Sequence, residues 1–342
     1  MSAPPVVASS VNFLRRLAQH VRQQLGEYLP DAKPLPPRTA RLDRFLYGLV
    51  QPVIGARFVA RDRELVKSAL LPVVLLASFC AAVTLLRHPD SAWNFVLRFY
   101  AVFAVLAPLP SIVFARHYAR LAATARQKLG LGDCQPRLEG LGRAIRRAVY
   151  QAILVAVGAL PVLALLRLIP PFAGLARTVA ALWALHWVII GAFDDARVLE
   201  PGETLADVEA QNKAAPKAWF VRCFLWLADR LPVVGGPLRW FSRRCDRLSL
   251  EWREEMEIAE NHPALVAGFG LTTAALLATP VLNLFFRPIV IVASVHLLGH
   301  ISREETAEGE SDQLQAGSPH QAEAPLALPA GFSGESSRTR HA

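Results

Sequence analysis

The chain has 342 residues, 53% of them hydrophobic and 19% charged, with a formal charge of +9 and a mean hydropathy of +0.30. That is more apolar than an ordinary soluble domain, and the excess is concentrated in four or five blocks, which points to a bilayer and excludes a merely large soluble core. The basic residues flank those blocks, so an anionic cytoplasmic leaflet accounts for the charge and no nucleic-acid partner is expected. Cys80, Cys134, Cys223 and Cys245 stand alone without a CxxC spacing, which indicates neither a disulfide framework nor a zinc site.

In chain order, residues 1–38 form an amphipathic N-terminal segment and linker. No apolar core followed by a small-residue cleavage site opens the chain, so no cleaved signal peptide is expected. Over 11–29, Leu14, Leu17, Val21, Leu25 and Tyr28 recur at helical spacing with Arg15, Arg16 and Arg22 largely opposite. That pattern fits a helix lying on the membrane surface or one packed on the rest of the protein. PDAKPLPPR, 30–38, then acts as a short stiff linker.

The helical membrane domain is expected over 39–299. Leu42 to Val59, partly apolar and containing Gly55, Ala56 and Arg57, leads through Arg61–Glu64 to Ser68–Leu86, an uncharged run that is the clearest single span. Phe95–Ala115 reads as a second span, with Arg98 able to snorkel and Pro108 and Pro110 bending its distal half. Residues 116–148 carry eight basic residues against two acidic and are expected to stay cytoplasmic. Val149–Leu166 and Thr178–Phe193 are the third and fourth spans, and Asp194 and Asp195 stand at the end of the fourth as a helix-end charge cluster with His186 within it.

Region 194–262 is polar again, except for AWFVRCFLWLADRLPVVGGPLRWFSRR at 218–244. Each half of that stretch is too short and too charged to cross alone, so it forms two interfacial helices or a helical hairpin dipping partway into the bilayer. LSLEWREEMEIAENH, 248–262, is a charged helix leading to PALVAGFGLTTAALLATPVLNLFFRPIVIVASVHLL, 263–298. As one helix this last run would be about 54 Å long against a hydrocarbon core of about 30 Å. With Pro280, Asn283, Arg287 and Pro288 near its middle, the expected geometry is a transmembrane or re-entrant hairpin broken across 280–288. Residues 300–342, rich in Glu, Ser, Gly, Ala and Pro, are expected to be a disordered tail.

Eleven basic against five acidic residues precede Ser68. With the 116–148 loop, they place both termini in the cytoplasm of a multi-pass protein of the bacterial inner membrane. The fold class is therefore all-α.

No HExxH, GxSxG, GxGxxG or GxxxxGK[ST] motif is present, so no enzyme activity, cofactor or metal is expected. An arginine deep in apolar surroundings costs about 2.5–3.5 kcal/mol. Arg287 therefore either snorkels to an interface or faces protein, a counter-charge or water, where with Asn283 one turn earlier it would contact an anion. Gly55 and Arg57 form a second candidate anion site, since glycine permits close backbone approach beside a cationic fork. His296, near the end of the last limb, reads as interfacial.

Two patches, GARFVARDRELVKSALLP at 55–72 and TPVLNLFFRPIVIVAS at 279–294, resemble the CysZ-like sulfate permeases and the related etoposide-induced membrane proteins. The resemblance covers residues 50–299 loosely. It implies long transmembrane helices, partially inserted helical hairpins, cytoplasmic termini and sulfate binding at Gly55 and Arg57. This chain departs from the pattern at Ala56, where a bulkier aliphatic is usual, and at Leu76, where an asparagine is expected.

The first expectation is thus a permease or channel for a small inorganic anion such as sulfate, acting as a possible homo-oligomer in the lipid bilayer. The alternative is a non-transport membrane scaffold or envelope-maintenance protein that binds lipid or a protein partner.

Overall fold

The computed structural model describes residues 34–106, 110–168, 170–231, 234–277 and 280–316, with scattered positions between 15 and 26; side chains at 104, 105, 110, 111, 170, 280–284 and 310–316 are not described. The helix expected over 11–29, part of the linker and residues 317–342 thus lie outside the described structure. Among the described residues the protein is all-α, and Gln135 and Leu199 meet only as an isolated antiparallel bridge.

Among the described residues, four helices are long and apolar enough to cross a membrane: Arg63–Leu85, Leu141–Leu168, Leu175–Ala196 and Phe285–Gly309. The first three coincide with the spans expected around 68–86, 149–166 and 178–193. The block expected as the second span, Phe95–Ala115, is instead divided. Helix α3 (Ala92–Leu106) covers its first part, the single turn α4 (Pro110–Val113) follows, and Ala115 already opens the amphipathic α5 (Ala115–Lys128). Proline lacks the donor that an unbroken helix needs, and Pro110 opens its short helix where the missing N–H has no partner to lose.

Two helices precede these. α1 (Arg41–Arg61) is the partly apolar stretch before the first span, and α2 (Arg63–Leu85) is the span itself. Asp62 separates them in an extended conformation. Its carboxylate caps α2 by accepting from the Glu64 and Leu65 amides at 2.9 and 3.0 Å, and it pairs with Lys128 at 2.7 Å. The Lys128 hydrogen bond, followed by the Leu65 amide, holds the Asp62 carboxyl below the usual range.

The second of the four is made of α6 (Leu141–Val157) and α7 (Leu160–Leu168), separated by a turn at Gly158; α8 (Leu175–Ala196) is the next. The Trp183 ring of α8 packs where a Gly158 side chain would stand, and its indole donates to the Leu154 and Val155 carbonyls at 3.2 and 3.1 Å. Short α9 (Leu205–Ala214) then precedes α10 (Trp219–Arg230) and α11 (Gly235–Leu248). These last two form an antiparallel hairpin, with the Ser242 hydroxyl donating to the Val221 carbonyl at 3.2 Å. Its inner face, Phe220, Val221, Phe224, Ala228 and Leu238, packs in one cluster with Leu154, Trp183 and Trp187, and with Val162 and Leu163 of α7. The two halves of 218–244 are therefore helices paired as a hairpin and seated against the helices of membrane-crossing length.

After α12 (Arg253–Asn261), the apolar run at 263–298 becomes α13 (Pro263–Leu277) and α14 (Pro280–Ala316). The first helix ends at Leu277 and the second begins at Pro280, so 280–288 is helical and not the break expected there. Pro280 takes the first helical position and Pro288 stays inside α14, where other helices surround the backbone it disturbs. Every residue from Val290 to Leu297 is buried. The apolar window of α14 is 67% buried inside the protein, against 28, 17 and 33% for the other three. A helix that is hydrophobic all round needs an apolar environment on every side; here neighbouring helices supply most of it.

The chain divides after Ile301 into two units, Met1–Ile301 and Ser302–Ala342. The tail expected to be disordered from residue 300 is helical as far as Ala316. Its first part, SREETAEGESDQLQA, is rich in Glu, Gln and Ala, which lose little on entering a helix.

Glycines set the distance between the innermost helices. A Cβ on Gly48 would strike the Leu265 carbonyl and lie 2.9 Å from the Phe269 amide, while one on Gly268 would strike the Phe45 carbonyl and lie 2.9 Å from the Leu49 amide. Thr272 Oγ1 also donates to the Leu49 carbonyl at 2.8 Å. α1 and α13 therefore cross backbone to backbone, as small residues allow in membrane proteins. Alanine is normally the better helix former by about 1 kcal/mol, but at this crossing it is overpacked, at about 1–3 kcal/mol or more. Gly268→Ala is expected to lower the thermal unfolding midpoint in detergent, whereas Gly236→Ala, which has nothing within 4 Å, raises it slightly or leaves it unchanged.

Candidate functional site

The candidate anion residues fall at the contact of α1 with the start of α14. Gly55 is buried there: its Cβ would lie 2.8 Å from the Ile289 carbonyl and 3.0 Å from the Ala293 amide. The space beside the glycine is therefore filled by α14. Helix contact, rather than approach by a ligand, explains the missing side chain. Arg57, half a turn further on, is exposed. Asn283 lies on α14 one turn before Arg287, and its side chain is outside the described residues.

Arg287 does not snorkel freely. Its Nη2 donates to Asp195 Oδ2 at 2.6 Å, with each side chain 21% exposed, and its guanidinium lies 5.6 Å from the centroid of the Tyr118 ring. Of the alternatives open from the sequence, the counter-charge is the one realised. Tyr118 comes from α5, Asp195 from the end of α8 and Arg287 from α14, so three elements meet at this pair. Burial pushes the Tyr118 hydroxyl up to about 12, opposed by Arg287, and the group stays protonated in any ordinary buffer. Among the described residues that hydroxyl makes no hydrogen bond.

Asp194 and Asp195 are more than a helix-end cluster. Asp194 accepts from Arg137 at 2.9 Å, from Arg147, and from the Trp252 indole at 3.3 Å. Glu139 takes Arg137 and Arg147, both at 2.7 Å, while Glu251 takes Arg146 at 2.9 Å and Arg147 at 3.2 Å. Arg197 extends the network to Glu254 at 2.5 Å and Glu255 at 3.3 Å. Burial raises the Glu255 carboxyl above its usual range, and Arg197 opposes that rise. The acid excess of 194–262 thus neutralises arginines from the 116–148 region. Sequence reading missed this network, because its partners are separated by up to 105 positions. The available signal was the pair of neighbouring segments with opposite charge excess.

His296 is buried rather than interfacial, which corrects the expectation. Its Nδ1 faces Gln51 Oε1 at 2.8 Å and its Nε2 faces His300 Nε2 at 3.2 Å. α1 covers this stretch of α14, and position near the end of an apolar run does not reveal that. His186 sits among Trp183, Trp187 and Trp219, with ring centroids 5.9–6.0 Å away. Among the described residues no group of three His, Cys, Asp or Glu side chains could hold a metal ion.

Removing one member of a buried ion pair costs roughly 3–5 kcal/mol, because the other charge is left uncompensated. The partial exposure of this pair moves the expected loss toward the lower end. Arg287→Ala and Asp195→Ala should each lower the unfolding midpoint, and the double variant should lose clearly less than the sum of the two. Additive losses would show that the two side chains are not coupled. No family model matches the chain, and no curated protein or solved structure matches it either.

Proposed function

We propose that the protein is a membrane permease or channel for a small inorganic anion of the sulfate class. The reading is carried by one observation: the two patches that resemble the CysZ-like permeases pack on one another through Gly55 and Ile289–Ala293. Arg57 and Arg287 each stand two residues from that contact. An arginine replaces part of the hydration shell of a passing anion, and conduction requires that the anion also leave. Asp195 serves this by competing for the Arg287 guanidinium, so that an anion arriving there displaces a carboxylate and is displaced in turn. Flow follows the electrochemical gradient through a multi-pass protein of the bacterial inner membrane, acting as a homo-oligomer with both termini in the cytoplasm.

The second reading is a non-transport scaffold, favoured by the same pair: Gly55 is filled by α14 and Arg287 is already neutralised by Asp195. Reconstitution separates the two. Proteoliposomes loaded with radiolabelled sulfate are expected to show flux above empty liposomes, lost in Arg57→Ala and kept in Arg243→Ala. Absence of flux for sulfate, phosphate and chloride alike would sink the permease reading and leave the scaffold.

A further inference from the structure

The α10–α11 hairpin carries an unusual charge balance. Residues 219–248 hold six arginines, no lysine and two acids, Asp229 and Asp246. Both acids are engaged, Asp229 with Arg239 at 2.8 Å and Asp246 with Arg253 at 2.7 Å, while Arg222 pairs with Glu260. Arg230, Arg243, Arg244 and Arg247 have no carboxylate within ion-pair distance among the described residues. Two of these lie over exposed tryptophans. The Arg230 guanidinium is 4.4 Å from the centroid of Trp226, and that of Arg244 is 5.5 Å from Trp240. Those tryptophans are 54% and 57% exposed, and Leu231 and Val234 at the tip are exposed as well. The opposite face of the same hairpin is packed on the membrane-crossing helices.

We propose that this outer face binds the headgroups of anionic phospholipids, with the Arg230–Trp226 and Arg244–Trp240 pairs as its two clamps. The indole belongs at the boundary of headgroups and acyl chains, where its ring is apolar and its N–H is wet. A guanidinium stacked on that ring uses its face and keeps its N–H edge free, and the edge matches two phosphate oxygens at once. Stacking also fixes the side chain in advance, so less freedom is lost when the phosphate binds. The four uncompensated arginines then favour a lipid with net negative charge over a zwitterionic one. The proposal rests on the hairpin lying against membrane-crossing helices, not on anion transport.

Native mass spectrometry of the detergent-solubilised full chain, offered equal amounts of phosphatidylglycerol and phosphatidylcholine, tests it. The wild type should carry more phosphatidylglycerol. That preference should fall by up to about fivefold for each of Arg230→Gln and Arg244→Gln, and stay unchanged in Arg222→Gln, whose charge is already taken by Glu260. Equal binding of the two lipids by the wild type, or an undiminished preference in the Arg230→Gln/Arg244→Gln double variant, overturns the proposal. All three substituted positions face outward on a hairpin that packs by its other side, so the variants fold; a matching elution profile in detergent checks this.

Discussion

The architecture depends on α14 being enclosed. Its segment from Val290 to Leu297 is buried on every side, and the enclosure requires neighbours to come closer than ordinary side chains permit. Gly55 brings the α1 backbone against α14, and Gly48 with Gly268 brings α1 against α13. With those distances fixed, Gln51 reaches His296 and Thr272 reaches the Leu49 carbonyl. Polar groups inside an apolar bundle are tolerated when they find such partners. The α1–α13–α14 packing is thus the frame on which the membrane-crossing helices are hung.

Charge is organised around that frame. Arginines 137, 146, 147 and 197 are neutralised by carboxylates from later segments, and Arg287 is held by Asp195. Such pairs contribute little net stability, since desolvation offsets attraction, but breaking one strands its partner. Their effect here is to join the end of α8 to the 137–147 region, α12 and α14 at defined positions. The arginines of the α10–α11 hairpin behave differently. Most face outward and lack carboxylates, so the protein has one basic region balanced internally and another presented to its surroundings.

Much of the fold was legible in the sequence because hydropathy is local. Ser68–Leu86, Val149–Leu166 and Thr178–Phe193 each contain the composition that makes them helices of membrane-crossing length. The paired halves of 218–244 likewise showed their hairpin through a Val-Val-Gly-Gly-Pro break. Phe95–Ala115 looked equally apolar yet is divided, because mean hydropathy does not register Pro110, which opens a separate short helix. The candidate site was less legible. Gly55 and Arg287 were both singled out as exceptional, correctly, but the glycine serves a helix contact and the arginine meets a carboxylate 92 positions away.

By itself, then, the sequence determined that the chain is all-α, where its apolar helices lie and which residues are out of place in them. Tertiary structure alone decided what surrounds each helix. An apolar run records only the need for a low-dielectric environment, and lipid tails and packed side chains satisfy that need equally well. For α2, α6, α7 and α8 much of the apolar surface stays exposed. For the core of α14 other helices cover it, and the charge of Arg287 is met by Asp195 rather than by water.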